Sequence, residues 1–200
     1  MSNRLKQLNR NVPYCTFMAD LADGYLTHHA YAVLDEKCLT GGVAYLQSLP
    51  GILASTRLFE GTPYYFISDT EPLLLKVQIN SRAWQSAMQL CLSQAGWVCK
   101  SSSGTSFEAV ADHLRTLFLL DDSVGGKAFV RLQQPHVWST LLTHAEPELL
   151  QSWLEPLGRV FIPDGRGGWF RWEVPKEVKA SVNPWRLTPE IETALQATSG

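Results

Sequence analysis

The stretch from Phe107 to Leu142, FEAVADHLRTLFLLDDSVGGKAFVRLQQPHVWSTLL, constrains this chain more than any other. Ser106 stands where a helix N-cap belongs, and an apolar-periodic run follows it. Apolar runs at Thr116–Leu120 and Lys127–Leu132 flank DDSVGG, whose glycines suit a hairpin turn. Pro135 then opens a second helix at the first turn, where its missing N–H costs nothing. A helix, a hairpin and a helix in one unit suit an α+β or mixed α/β fold rather than a doubly wound nucleotide fold.

The flanks extend the pattern. A short polar helix is read at residues 3–10, and Tyr14 to His29 carries no assignable pattern. HAYAVLD at 29–35 reads as a strand that Asp35 ends, and Leu39–Leu49 as a helix stopped by Pro50-Gly51. Ile52–Ile79 is strand-like, with Pro63 and Pro72 keeping its strands short or at an edge. Ser81 caps a helix through Gln94, with Gly96 as its C-terminal glycine and Trp84, Ala87, Met88, Cys91 and Leu92 on one apolar face. Trp97–Lys100 is a short strand, and SSSGTS at 101–106 a polar loop. Pro147 opens a helix ending near Trp153. Arg159–Ile162 and Trp169–Val174 form a hairpin around PDGRGG, where Gly165, Gly167 and Gly168 supply positive φ. The resulting fold class is α+β (mixed α/β): an antiparallel or mixed sheet with hairpins and flanking helices, with room for two lobes. Residues 1–28 form an N-terminal extension and 29–174 the main domain, with a lobe boundary near 101–106. Residues 175–200 form a linker and a C-terminal helix from Pro189 to Thr198.

Composition narrows the function. Charged residues make up 18% of the chain, below the roughly 25% of soluble domains, and the chain holds seven Trp, six Tyr and eight Phe. Low charge with many aromatics leaves apolar surface for a protein partner, although cores use aromatics too. Net charge is −2 with no basic stripe, which argues against nucleic acid. The polar start lacks a signal peptide's apolar core, and no stretch reaches the roughly 18 apolar residues of a membrane span. Cys15, Cys38, Cys91 and Cys99 form neither a CxxC pair nor a zinc pattern, so a cytoplasmic protein with reduced thiols is expected.

Catalytic and cofactor motifs are missing. GGK at 125–127 lacks the phosphate-loop spacing, and GRGG at 165–168 lacks GxGxxG. His28 and His29 are neighbours that point to opposite faces of a strand and cannot chelate together, and His113, His136 and His144 lie far apart in sequence without carboxylates at ligand spacing; no metal and no cofactor is expected. Arg115 and Arg131 draw more interest. With 116–120 paired to 127–132, they approach each other at the end away from the turn. There they serve either an internal ion pair, with Asp35 or Asp112 as partner, or an acidic or backbone group of a bound protein.

YAVLD at 31–35, ADHLRTLFLL at 111–120 (with His113, Leu114 and Arg115), FVRLQQPHVWSTLL at 129–142 and LEPLGRVFIP at 154–163 together resemble, in order and spacing, the type VI secretion effector chaperone or adaptor family. The resemblance covers about 31–173. One departure is Gln133-Gln134, where that family often carries an aromatic and an Asp before the proline. The resemblance implies a non-enzymatic adaptor. It would bind the N-terminal region of a cognate secreted effector and promote its loading onto the spike protein, with a groove between two lobes gripping the client. Its expected anchors are Arg115, Arg131, Trp138, Trp169 and Trp172. Trp169 and Trp172 face opposite sides of a regular strand, so at most one of them is core. On this reading Trp138→Ala weakens binding with little loss of fold. Two alternatives are an immunity-type toxin-binding protein and an enzyme whose site is assembled from scattered residues such as His113, Asp112 and Cys99.

Overall fold

A computed structural model describes residues 10–12, 14–22, 29–39, 41–62, 65, 71–101, 104–175 and 185–198. The helix read at 3–10 lies outside these residues, apart from Arg10, which opens a strand. In chain order the elements are β1 (Arg10–Val12), α1 (Tyr14–Ala22), β2 (His29–Asp35), a 3-10 turn (Glu36–Cys38), α2 (Gly42–Gln47), β3 (Ile52–Arg57) and β4 (Pro72–Gln78). They continue with α3 (Arg82–Leu92), β5 (Gly96–Lys100), α4 (Phe107–Leu117), β6 (Leu119–Asp121), β7 (Lys127–Phe129), α5 (Pro135–His144) and α6 (Pro147–Leu154). The last are β8 (Arg159–Pro163), β9 (Trp169–Trp172) and α7 (Pro189–Thr198). Seven strands form one sheet in the order β1-β9-β8-β5-β2-β4-β3, and every pairing in it is antiparallel. The mixed α+β class and the antiparallel sheet agree with the sequence reading; β6 and β7 form a separate two-stranded sheet.

Both faces of the large sheet are covered. Tyr31, Val33, Leu74, Trp97, Cys99, Val160, Ile162 and Trp172 point into one buried cluster with α4, α5 and α6. Their strand neighbours Ala30, Ala32, Leu34, Leu73, Leu75, Val98, Phe161 and Trp169 point into another, with α1, α2 and α3. The alternation follows from the two-residue period of a strand. It also explains why β2 reads as the unbroken apolar run AYAVL: neither face meets water. The result is a three-layer helix–sheet–helix stack. The chain leaves the sheet after β5, builds one helical layer with α4 through α6, and returns as β8, so the two cores are the two faces of one sheet.

Local chemistry sets the element ends. Ser81 Oγ accepts from the Trp84 amide at 3.1 Å and Ser106 Oγ from the Ala109 amide at 3.0 Å, each meeting an otherwise unpaired donor of a helix start. Pro135 and Pro147 open α5 and α6 as expected. Gly96 has a different role from the expected helix cap. The left-handed residue after α3 is Gln94, at φ 64°, and Gly96 is the first residue of β5. A Cβ there would lie 2.1 Å from the Val33 carbonyl oxygen of β2, so the close pairing of the central strands requires glycine. Gly165 and Gly167 take positive φ, but Gly168 does not. A Cβ on Gly168 would lie 2.6 Å from both the Asn11 and the Asp164 side-chain oxygens, so crowding at the β1 edge excludes one.

The segment expected as an extension joins the fold. β1 pairs with β9, and on α1 Phe17 stacks on Trp169 at 4.3 Å between ring centres. At the other end, Ile191 of α7 is fully buried and packs in the α4–α6 layer. Ahead of α7, residues 185–187 lie along β6: the Asp121 amide donates to the Trp185 carbonyl at 2.6 Å, and the Leu187 amide donates to the Asp121 carbonyl at 2.7 Å. Glu192 accepts from both the amide and the hydroxyl of Ser123 at 2.6 Å, fixing α7 to the hairpin tip. No helix among the described residues is long and apolar enough to cross a membrane.

Candidate protein-binding site

The five residues singled out in the sequence part company here. Helix α4 runs to Leu117, into the run read as a strand from Thr116, so the hairpin shrinks to 119–121 and 127–129. Arg115 therefore sits in the last turn of α4 rather than beside a strand end. Its Nε donates to the Leu58 carbonyl at 2.8 Å and its Nη1 to Asp112 Oδ1 at 2.6 Å. This is the internal pairing weighed above. Asp112 is largely exposed, so the ion pair contributes at most about 1 kcal/mol. The Leu58 bond instead ties α4 to the segment after β3.

Trp138, Trp169 and Trp172 are not surface anchors. They are 0%, 0% and 2% exposed. Trp138 lies between Trp97 and Trp153, with ring centres 5.8 and 6.2 Å away. Trp169 and Trp172 do face opposite sides of β9, but both are core because helices cover both faces. The limit of one core residue assumed a sheet with one wet face.

Arg131 alone remains on the surface. It is exposed just beyond β7 and makes no ion pair or side-chain hydrogen bond among the described residues. It borders a cleft of about 470 Å³. Phe129 and Val130 from the hairpin, Val137 from α5 and Leu195 from α7 supply apolar walls, and Gln134 and His136 add polar groups. The helix start beside it explains the local geometry. Gln134 is the N-cap of α5 but makes no side-chain capping bond, whereas Asp or Asn there would be a good cap. Gln133 is fully buried. Position 134 thus offers Arg131 a neutral amide rather than a carboxylate, and the five guanidinium donors meet no side-chain acceptor among the described residues. The cleft can hold an apolar side chain while offering a forked donor to a carboxylate or a run of carbonyls. Of its lining, only Arg131 was legible in advance. Leu187, Ile191 and Leu195, spaced by four along the C-terminal segment, were the available signal for α7 as a wall.

The residues considered for an enzyme are committed elsewhere. His113 Nε2 donates to the Trp153 carbonyl at 2.9 Å; burial holds the imidazole below its ordinary pKa, partly offset by that bond. Asp112 is paired with Arg115. The Cys99 thiol is fully buried in β5, and burial pushes its pKa far up, away from the reactive thiolate.

The site thus defines a three-layer α+β protein with a cleft of mixed polar and apolar lining, bordered by an arginine that is unpaired among the described residues. The sequence profile of the domain of unknown function DUF4123 matches residues 30–152, and the chain belongs to that family. The match contains α4, the β6–β7 hairpin and α5, and so all of the cleft except the α7 wall. No curated protein and no solved structure matches the chain.

Proposed function

We propose that this protein is an effector-specific chaperone or adaptor of type VI secretion. It acts in the cytoplasm and without catalysis, holding the N-terminal region of a toxin effector and promoting its loading onto the spike protein. The observation that carries this reading is the cleft between the β7–α5 junction and α7. An exposed guanidinium without a partner among the described residues stands there beside apolar walls. Interfaces concentrate their energy in a few aromatic and arginine anchors seated in apolar pockets, and Arg131 with Phe129 has that character. The placement of the cleft within the family match and the motif order between residues 31 and 173 support the same reading. The test is co-purification of the tagged chain from its native cytosol, with mass spectrometry of what accompanies it. A stoichiometric effector held through its N-terminal region supports the proposal. A clean monomer overturns it, and a toxin held through its catalytic domain supports the immunity alternative instead.

A further inference from the structure

The cleft beside Arg131 borders four consecutive residues, Ala128, Phe129, Val130 and Arg131. Successive side chains of a strand point to opposite faces, so a cleft touching all four follows the edge of β7 and its continuation rather than one face. The hairpin's bonding pattern determines what that edge carries. Asp121 directs its amide and its carbonyl away from β7, to Trp185 and Leu187. Inward and outward residues alternate along an antiparallel pair, so Leu120 and Ala128 bond each other while Lys127 and Phe129 turn outward. The Val130 amide keeps the alternation, donating inward to the Phe118 carbonyl at 2.8 Å. The outward amides and carbonyls of Lys127 and Phe129, and the Arg131 amide next in the row, meet no partner among the described residues.

The two edges of this small sheet are thus unlike. On β6 a segment from outside the hairpin already extends the sheet, with Arg186 in a parallel bridge to Asp121. On β7 the edge is bare and opens on the cleft. Bare edges are ordinarily blunted by a charged side chain, lysine above all. Here the Lys127 ammonium is drawn back across the hairpin to Asp121. The Phe129 ring packs against Phe59 and Phe118, with centres 5.6 and 6.3 Å away, and so fixes the strand while its backbone faces out. Val137 and Leu195 add apolar walls to the same cleft, which an edge serving water alone does not need.

We infer that the client enters as an extended segment of about five residues, matching 127–131, that adds a strand to the free edge of β7. It sets an apolar side chain among Phe129, Val137 and Leu195 and a carboxylate on Arg131. Main-chain bonds to the edge supply affinity, and the flanking side-chain contacts supply selectivity. Charge complementarity selects the acid, because the described lining holds Arg131 and His136 and no carboxylate. Of the elements around the cleft, α5 has no acid, Asp121 is paired with Lys127, and Glu192 accepts from Ser123. Glu190, exposed in the first turn of α7, lies outside the lining. An amphipathic helix fits less well: its backbone groups are spent within it, so it would cover the β7 row and leave it unpaired. The inference rests on the effector reading for the identity of its occupant and adds the shape and chemistry of the segment held.

The test is a library of random linear peptides panned on the full chain, with the enriched peptides then added while amide exchange is followed residue by residue by NMR. In the free chain the Ala128 and Val130 amides should exchange slowly, and those of Lys127, Phe129 and Arg131 fast. Enriched peptides should carry Asp or Glu beside apolar residues and slow those three amides by about tenfold or more. They should lose about tenfold or more in affinity for Arg131→Glu and nothing for Gln89→Arg, an exposed α3 position on the opposite layer. N-methylation of alternate peptide amides should weaken binding about tenfold in one register and leave it unchanged in the other, since only alternate amides face β7. Helical or basic peptides, loss at every methylated position, or binding that leaves the three amides exchanging overturns the inference, as does a library that yields nothing. The effector reading fails separately. A co-purified effector whose N-terminal region leaves these amides unprotected overturns strand addition and keeps the effector. Protection by library peptides without a co-purified effector supports strand addition and strikes only its occupant.

Discussion

Trp138→Ala separates the core from the interface most sharply. Trp138 is fully buried between Trp97 and Trp153, and Trp97 is itself fastened by a 2.6 Å bond from its indole N–H to the Leu132 carbonyl. The Trp138 indole N–H meets no acceptor among the described residues, so truncation removes packing but no hydrogen bond. Loss of a buried Trp side chain costs about 3–5 kcal/mol, transfer and cavity terms together. Against a total stability of about 5–15 kcal/mol this is a large fraction. At about 2–4 °C per kcal/mol for a chain of this size, the midpoint should fall by about 6–20 °C. The assay is urea and thermal unfolding followed by circular dichroism, with Trp138→Phe as a milder companion that keeps most of the ring volume. A loss below about 1 kcal/mol, accompanied by loss of client binding, would refute the core assignment and restore Trp138 as an anchor.

Arg131→Glu should leave the unfolding midpoint within about 0.5 kcal/mol of the parent, because no contact among the described residues is lost; a larger drop means the guanidinium has a structural partner. Gln134→Asp should stabilise α5 by about 0.5–2 kcal/mol through a new N-cap while weakening client binding, since it sets a carboxylate beside Arg131; unchanged stability in urea would count against the cap geometry. Gly96→Ala should destabilise by about 1–3 kcal/mol: the clash with the Val33 carbonyl outweighs the few tenths to about 1 kcal/mol gained from a stiffer unfolded chain. A more stable Gly96→Ala chain in the same unfolding assay would contradict the close strand pairing. The folded pKa of His113 lies below its unfolded value of about 6.5, so the unfolded chain binds the extra proton. His113 therefore stabilises fully above about pH 6.5, and that stability is lost as pH falls from there toward the folded pKa. The urea midpoint should drop over that window and do so less in His113→Gln; equal slopes in both proteins would remove His113 as the cause.

What the sequence disclosed and what it hid divide along physical lines. Elements marked by local chemistry were legible: β2 ends at Asp35, Ser81 and Ser106 cap their helices, and Pro135 and Pro147 open theirs. The missed elements depend on distant partners. α1 carries no strong periodic signal, yet Phe17 becomes core because Trp169, Trp84 and Phe161 surround it. With α1 unassigned, β9 seemed to have one open face, and Trp169 and Trp172 were misjudged together. The extension of α4 to Leu117 removed Arg115 from the hairpin, since Thr116-Leu117 suits helix and strand alike. Arg131 was picked out as one of two guanidiniums meeting at a hairpin end, with a neighbour that α4 took away. Gly96 shows the converse: a glycine after a helix suggests a cap, and only the neighbouring strand reveals the contact that demands it.

The central claim is that the cleft beside Arg131 grips a secreted effector through its N-terminal region. Its most direct test is calorimetric titration of the effector segment recovered by co-purification into the parent chain, Arg131→Glu and Gln89→Arg. The account predicts that Arg131→Glu weakens binding by about tenfold or more, as reversal of an anchoring charge does, while Gln89→Arg on the opposite layer leaves it unchanged. Parent-like affinity in Arg131→Glu would contradict it.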